Sequence, residues 1–332
     1  MSYPVALPIV ESSQVGEARR IAFAFANHLG FSETERGNVS IVVTELANNL
    51  VQHAHNGQLL LQAQVLNSIA RLEILALDSG PGMRSISECL RDGFSTRGTL
   101  GNGLGACQRL SNFFDIYSVA NGGTAILSHL WTTSNQAPPP EGNLEIGCVC
   151  LPVKGEEVSG DAWATEQQEG RSLLLVADGL GHGPQAAIAS NEAVRVFREN
   201  ASKSPKEIIE AAHGVLRSTR GAVMAIAEIN FHTSSVRFAG VGNISAAVIS
   251  PDANYSMVSY NGTVGHEVRK IQEFVYQWPK GGLLVMHSDG LGTQWHLERY
   301  AGLVSKHSSL IAGVLYRDFT RGRDDVTVLA AK

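Results

Sequence analysis

Cysteine is scarce in this 332-residue chain, with four in all: Cys89, Cys107, Cys148 and Cys150. Their spacing fits neither a zinc site nor a disulfide framework. Cys148 and Cys150 share an apolar run, where buried free thiols are expected, so a reducing, cytoplasmic compartment is implied. Apolar runs are short, and none approaches the ~18 residues that a membrane span needs. Residues 1–9 lack the charged n-region and long apolar core of a secretory signal. There is no dense basic block, and 31 Asp and Glu outweigh 26 Lys and Arg for a net charge of −5. That balance argues against nucleic acid as a main partner. At 44% apolar and 17% charged, the composition excludes disordered and collagen-like classes. The length suits two domains.

No internal repeat is present. One boundary stands out at 132–143, TTSNQAPPPEGN, where three consecutive prolines cannot continue a helix or central strand and favour an extended linker. It separates residues 1–131 from residues 144–332. In the first part, Val15, Ala18, Ile21, Ala22, Phe25 and Leu29 recur at helical spacing, and Gly30 follows as a stop. A second helix is expected over 36–54 and a third over 104–113. Strands are expected at 59–65, 72–77, 116–120 and 124–131. Helices on one face of a mixed sheet, an α/β sandwich, would account for this pattern. The second part reads as strands at 144–153, 172–177, 222–229, 236–239, 246–249, 283–287 and 326–330. Helices at 184–199 and 205–217 interrupt them, each opening on proline. A β-sandwich flanked by helices is expected there.

Three motifs in the first part carry chemistry. In TELANNLVQHA (44–54), Glu45 and Asn49 lie four apart on one helix face. A carboxylate and a carboxamide so placed suit a hydrated Mg²⁺ and a hydroxyl to be deprotonated. In DSGPGM (78–83), an acidic residue ends an apolar strand and two glycines let the backbone approach a ligand. Asp78 there can accept from an exocyclic amine. In GTLGNGLG (98–105), a glycine-rich loop opens a helix and can present N–H groups to phosphates. It is neither a dinucleotide-binding fingerprint, having no βαβ frame, nor a Walker loop, having no Lys-Ser/Thr.

Together these resemble the GHKL (Bergerat) ATP-binding fold over residues 10–131, and within it the small RsbT/RsbW-type serine kinases of bacterial partner-switching pathways. DGFSTRGTLGNGLGACQRL and GGTAILSHLW extend the likeness. The resemblance implies Glu45 as general base, Asn49 as Mg²⁺ ligand and Asp78 at the adenine. It also implies Gly80, Gly82, Gly101, Gly103 and Gly105 along the phosphates and lid, and Thr124 on the adenine side. A histidine kinase would need a phosphoaccepting helical hairpin ahead of the domain, where only about 40 residues precede the Glu45 motif.

In the second part four acidic turns sit at strand ends or loops: SGD (159–161), ADGLGHG (177–183), HSDG (287–290) and RDDVT (323–327). A sheet that delivers several carboxylates to one rim needs a counter-ion, and hard oxygen ligands suit Mg²⁺ or Mn²⁺. Two such ions can activate a water for in-line attack on phosphorus. His182 and His287 lack the Cys or His partners of a zinc site. These elements resemble the PP2C-type metal-dependent phosphatases, in particular the bacterial SpoIIE/RsbX branch, with an α/β/β/α sandwich. The resemblance implies that Asp178 bridges two metals, with Asp161 and the Gly179 carbonyl on one, and Asp289 and Asp324 on the other. Asp325 remains an alternative to Asp324.

The expected protein is therefore an N-terminal GHKL α/β sandwich and a C-terminal PP2C-like α/β/β/α sandwich. It would be a serine/threonine protein phosphatase joined to an ATP-dependent serine kinase. By resemblance its partner is a phosphorylated STAS-domain anti-sigma antagonist or stressosome component. Alternatives are a non-catalytic, nucleotide-sensing N-terminal module and a phosphatase of small phosphorylated metabolites. A homodimer is left open.

Overall fold

In a computed structural model, the structure describes residues 4–66, 69–91, 103–132 and 144–332. The chain begins β1 (Val5–Pro8), α1 (Ser12–His28), α2 (Glu33–His53), β2 (Gln58–Leu66) and β3 (Ile69–Asp78). It continues α3 (Ile86–Cys89), α4 (Gly103–Leu110), β4 (Phe113–Ser118) and β5 (Thr124–Trp131). After residue 144 come β6 (Ile146–Leu151), β7 (Asp161–Gln168), β8 (Arg171–Gly179), α5 (Pro184–Glu199), α6 (Pro205–Val215), β9 (Ala222–Asn230) and β10 (Ser235–Val241). The last elements are β11 (Ser245–Ser250), β12 (Ala253–Ser256), β13 (Glu273–Gln277), β14 (Leu283–His287), α7 (Ser308–Phe319) and β15 (Val326–Ala331).

The chain divides into two compact units, one of residues 1–140 with 305–317, the other of 141–304 with 318–332. In the first unit an antiparallel sheet runs β1-β2-β3-β5-β4. Ser32 caps α2, and Glu35 returns the contact to the Ser32 N–H, which fixes where that helix starts. Val39, Val42, Val43, Leu46, Ala47 and Leu50 form its buried stripe, packed with α1 against Leu59, Leu61, Leu72, Ile74 and Ala76 of the sheet. The opposite sheet face, with Leu75 and Leu77, meets Gly313 of α7.

The second unit holds two five-stranded antiparallel sheets, β13-β10-β9-β8-β7 and β12-β11-β14-β15-β6. The pleat of β8 sorts its side chains by parity. Leu173, Leu175 and Ala177 join the core shared with α5 and α6, whereas Leu174 and Val176 enter the core between the sheets with Val248, Leu284, Met286 and Leu329. Both faces are buried, which is why this strand reads as an unbroken apolar run.

Several element boundaries differ from the sequence reading. The helix expected over 104–113 ends at Leu110, because Phe113 already pairs with His129 in β4. Strands β1, β7, β12 and β13 and helices α3 and α7 are not expected from the sequence pattern. All four cysteines are free thiols, three of them buried. Among the described residues, no helix is long and apolar enough to cross a membrane.

Candidate active sites

In the first unit, Glu45 and Asn49 leave a half-buried flank of α2 just beside its buried stripe. A Cβ on Gly103 would lie 2.5 Å from Glu45 Oε2, so the start of α4 comes close to that carboxylate and a side chain there would displace it. Asn49 Nδ2 is buried and has no hydrogen-bond partner among the described residues.

Asp78 ends β3, in register with Thr124 of β5. Its carboxylate accepts from the Gly80 N–H at 2.6 Å and from the Thr124 N–H. Burial pushes its pKa up, while those N–H groups and the charges of Arg317 and His55 oppose the rise. Gly80 packs on the end of α2, its Cβ position 3.0 Å from the His53 carbonyl oxygen. Gly82 has φ +66°, with its Cβ position 2.0 Å from the Val119 carbonyl oxygen, so the turn admits no side chain. The Thr124 hydroxyl is tied to Ser118 at 2.9 Å. Gly105 is buried within α4. Gly101 lies outside the described residues. The structure thus brings Glu45 to Gly103, and Asp78 to Gly80 and Thr124.

In the second unit, Asp161 opens β7 directly opposite Asp178 of β8. Asp178 is pushed up to about 9, first by burial and then by the charges of Asp161, Asp289, Asp324 and Asp325. Asp161 is raised to about 7, chiefly by burial, with the Ser288 and Thr327 hydroxyls opposing the rise and Asp325 and Asp289 adding to it. Ser288 Oγ donates to Asp161 Oδ2 at 2.6 Å, whereas Asp161 Oδ1 is buried without a well-formed hydrogen bond among the described residues. Asn243 Nδ2 donates to Asp289 Oδ2 at 2.8 Å.

The two neighbouring aspartates of the last turn differ in environment. Asp325 is buried and accepts from the Val153 and Gly160 N–H groups, each at 2.7 Å. Asp324 is exposed. Gly160, Gly179 and Gly290 are points of close approach, where a Cβ would meet Asp325 Oδ2, the Ala186 carbonyl oxygen and the Asp325 carbonyl oxygen within 2.6 Å. Among the described residues no three His, Cys, Asp or Glu side chains already form a metal cage. The donor set nonetheless fits divalent cations: hard oxygens, mutual repulsion and one buried carboxylate oxygen, Asp161 Oδ1, without a well-formed hydrogen bond among the described residues. Ser288, Asn243 and the bracing part of Asp325 were not read from the sequence. Only contacts between residues remote in sequence reveal them.

These features define a histidine-kinase-like ATPase domain joined to a PP2C-type phosphatase domain. Residues 10–128 match the histidine kinase-like ATPase domain, and residues 168–332 match the stage II sporulation protein E (SpoIIE) family. The serine/threonine-protein kinase RsbT of Bacillus subtilis (strain 168) is 36% identical over 114 residues, 34% of this chain and 86% of that protein. The phosphoserine phosphatase RsbX of the same organism is 27% identical over 184 residues, 54% of this chain and 89% of RsbX. A solved chain from work on the bacterial stressosome, described as a modular system adapted to control secondary messenger signalling, superposes with TM-score 0.55 at 27% identity. It covers 57% of this chain and 100% of its own. RsbX in complex with magnesium superposes with TM-score 0.52 at 24% identity, covering 57% and 96%. The chain belongs to the RsbT family through its N-terminal domain and carries a PP2C-type domain of the SpoIIE/RsbX kind at its C-terminal end.

Proposed function

We propose that the chain is a cytoplasmic, metal-dependent phosphoserine/phosphothreonine protein phosphatase whose N-terminal domain is the opposing ATP-dependent serine kinase. The substrate proposed for both is a STAS-domain anti-sigma antagonist or stressosome protein. The observation that carries the reading is Asp161 set directly opposite Asp178 at the ends of β7 and β8, with Asp289, Asp324 and Asp325 near enough for their charges to raise Asp178. The division into residues 1–131 and 144–332, joined by 132–143, is part of the same proposal. RsbT and RsbX, by name a serine/threonine kinase and a phosphoserine phosphatase, support the pairing of activities, and the stressosome likeness supports the substrate class.

In this reading Asp161, Asp178, Asp289, Asp324 and the Gly179 carbonyl hold two Mn²⁺ or Mg²⁺ ions. When bound, the ions supply an activated water and offset negative charge on the phosphoryl oxygens. The chain's own part is orientation. Ser288 aims Asp161, Asn243 aims Asp289, and Asp325 braces the SGD turn through Gly160. The two N–H bonds to Asp325 favour Asp324 as the ligand of the pair.

At the kinase site Asp78 accepts the adenine amine and Asn49 holds Mg²⁺ of ATP. Gly80, Gly82, Gly101, Gly103 and Gly105 line the phosphates and lid, with Thr124 on the adenine side. Glu45 takes the proton of the substrate hydroxyl as that oxygen attacks the γ-phosphorus and ADP leaves. Placing Glu45 against Gly103 favours catalysis over a purely nucleotide-sensing module, which needs no carboxylate at that point.

The test is to incubate the protein with ATP, Mn²⁺ and a STAS-domain partner in phosphorylated and unphosphorylated form, following phosphate by mass spectrometry. Gain and loss of phosphate at one serine or threonine is expected. Loss without gain establishes the nucleotide-sensing module instead. Turnover confined to small phosphorylated metabolites removes the protein substrate.

A further inference from the structure

The outer face of the first sheet carries residues 305–317, far beyond residue 128 where the ATPase-domain match ends. Their seat is polar and specific. Lys306 Nζ donates to Asp115 Oδ1 at 2.8 Å, and the His307 N–H donates to Asp115 Oδ2 at 3.1 Å. Ser309 Oγ donates to the buried Glu73 Oε2 at 2.7 Å, an oxygen that also meets His129 Nε2 at 2.7 Å. Gly313 is the point of close approach, its Cβ position 2.5 Å from Leu75 Cδ2 and 3.2 Å from Leu77 Cδ2. With no side chain there, α7 lies near enough for Arg317, four residues on and on the same helix face, to reach the end of β3.

What Arg317 reaches is the main chain of Asp78: its guanidinium NH1 donates to the Asp78 carbonyl oxygen at 2.9 Å. A Cβ on Gly123 would lie 2.1 Å from that same oxygen and 2.8 Å from Arg317 NH1, so strand end, glycine turn and guanidinium converge on one point. The direction of the Asp78 carboxylate depends on this backbone, because its partners are the N–H groups of Gly80 and Thr124 on either side.

We infer that Arg317 is a positioning residue of the nucleotide pocket, holding the end of β3 so that the Asp78 carboxylate faces the exocyclic amine of an adenine nucleotide. This rests on the ATP-binding reading above. The ATP-binding unit is then completed by α7, and by linkage a bound adenine nucleotide steadies the seat of that helix in return. The guanidinium charge acts in the same direction, since it opposes the burial that disfavours an ionised Asp78.

The experiment uses the full chain and calorimetry with Mg²⁺–ATP and Mg²⁺–ITP, whose base lacks the exocyclic amine. Arg317→Met is expected to weaken ATP ~10-fold, the order of one lost charge-assisted hydrogen bond, and to leave ITP unchanged. Arg317→Lys, which retains a donor and a charge, is expected to recover part of the loss. Hydrogen exchange of peptides covering 308–319 should slow on adding ATP to the wild-type chain and not to Arg317→Met. Equal ATP affinity in wild type and Arg317→Met overturns the inference alone. So does an equal loss for ATP and ITP, which marks a general defect of the fold. If wild type binds neither nucleotide, the ATP-binding reading fails and the inference falls with it. Should Arg317→Met not fold, the ATP-to-ITP ratio of Arg317→Lys decides in the same way.

Discussion

Glu73 is a buried charge of the first unit, and replacing it with glutamine has a calculable effect. It sits on β3, 4% exposed, accepting from His129 and Ser309, with Arg71 nearby. Burial alone would raise its pKa. The His129 hydrogen bond and charge, the Arg71 charge and the Ser309 hydroxyl outweigh burial and hold it at about 2, against an ordinary 4.5. A folded-state pKa below the unfolded one gives stability that is fully present above about pH 4.5 and lost as pH falls through about 2. The displacement corresponds to about 3 kcal/mol at neutral pH, of which about 2 kcal/mol is lost between about pH 6 and pH 3. Glu73→Gln should therefore speed exchange of the slowest amides of β3 and β5 at pH 6 by ~10²-fold. The gap between wild type and variant should shrink by ~30-fold at pH 3. The assay is hydrogen exchange read peptide by peptide in the full chain, corrected for intrinsic rates. A gap of unchanged size at both pH values would refute the assignment of a depressed carboxyl to Glu73.

Three further outcomes follow from the sites. Asp178→Asn and Asp289→Asn should each abolish phosphatase turnover while leaving ATP affinity unchanged, and EDTA should silence the wild-type enzyme; full activity in excess EDTA or in both variants contradicts the metal site. Asn243→Ala removes the amide that aims Asp289, so the Mn²⁺ concentration for half-maximal turnover should rise ~10–100-fold; an unmoved metal titration shows that Asn243 has no such part. Asp78→Asn and Asn49→Ala should weaken Mg²⁺–ATP without affecting hydrolysis of a small aryl phosphate, which calorimetry and a colorimetric assay check side by side.

Both domains were legible in the sequence because their chemistry is local. DSGPGM and ADGLGHG keep acidic residue, glycine turn and apolar strand within a few positions, and α2 was expected over 36–54 against Glu33–His53 observed. What stayed illegible depends on distance along the chain. Helix α7 is buried from Ser308 to Tyr316 and so shows no amphipathic stripe to mark it. Strand β7, DAWATEQQ, buries only Asp161 and Ala164, too few for a period of two to stand out. Asp324 and Asp325 are alike as a dipeptide. Only the N–H groups of Val153 and Gly160, remote in sequence, distinguish them. Glu73 likewise reads as a charge breaking an apolar strand until His129 and Ser309 are seen around it.

The proposed pairing of two opposing activities on one chain turns on Glu45. A general base contributes ~10²–10⁴-fold to rate and little to ground-state binding. The decisive measurement is phosphate on the STAS-domain partner, by mass spectrometry, after incubation with Mg²⁺–ATP and the Asp178→Asn protein, in which the phosphatase cannot erase the product. Phosphorylation of one serine or threonine is predicted, falling at least ~10²-fold in Asp178→Asn/Glu45→Gln with ATP and partner affinities unchanged. An Asp178→Asn protein that phosphorylates nothing, or an added Glu45→Gln that changes nothing, would contradict the account.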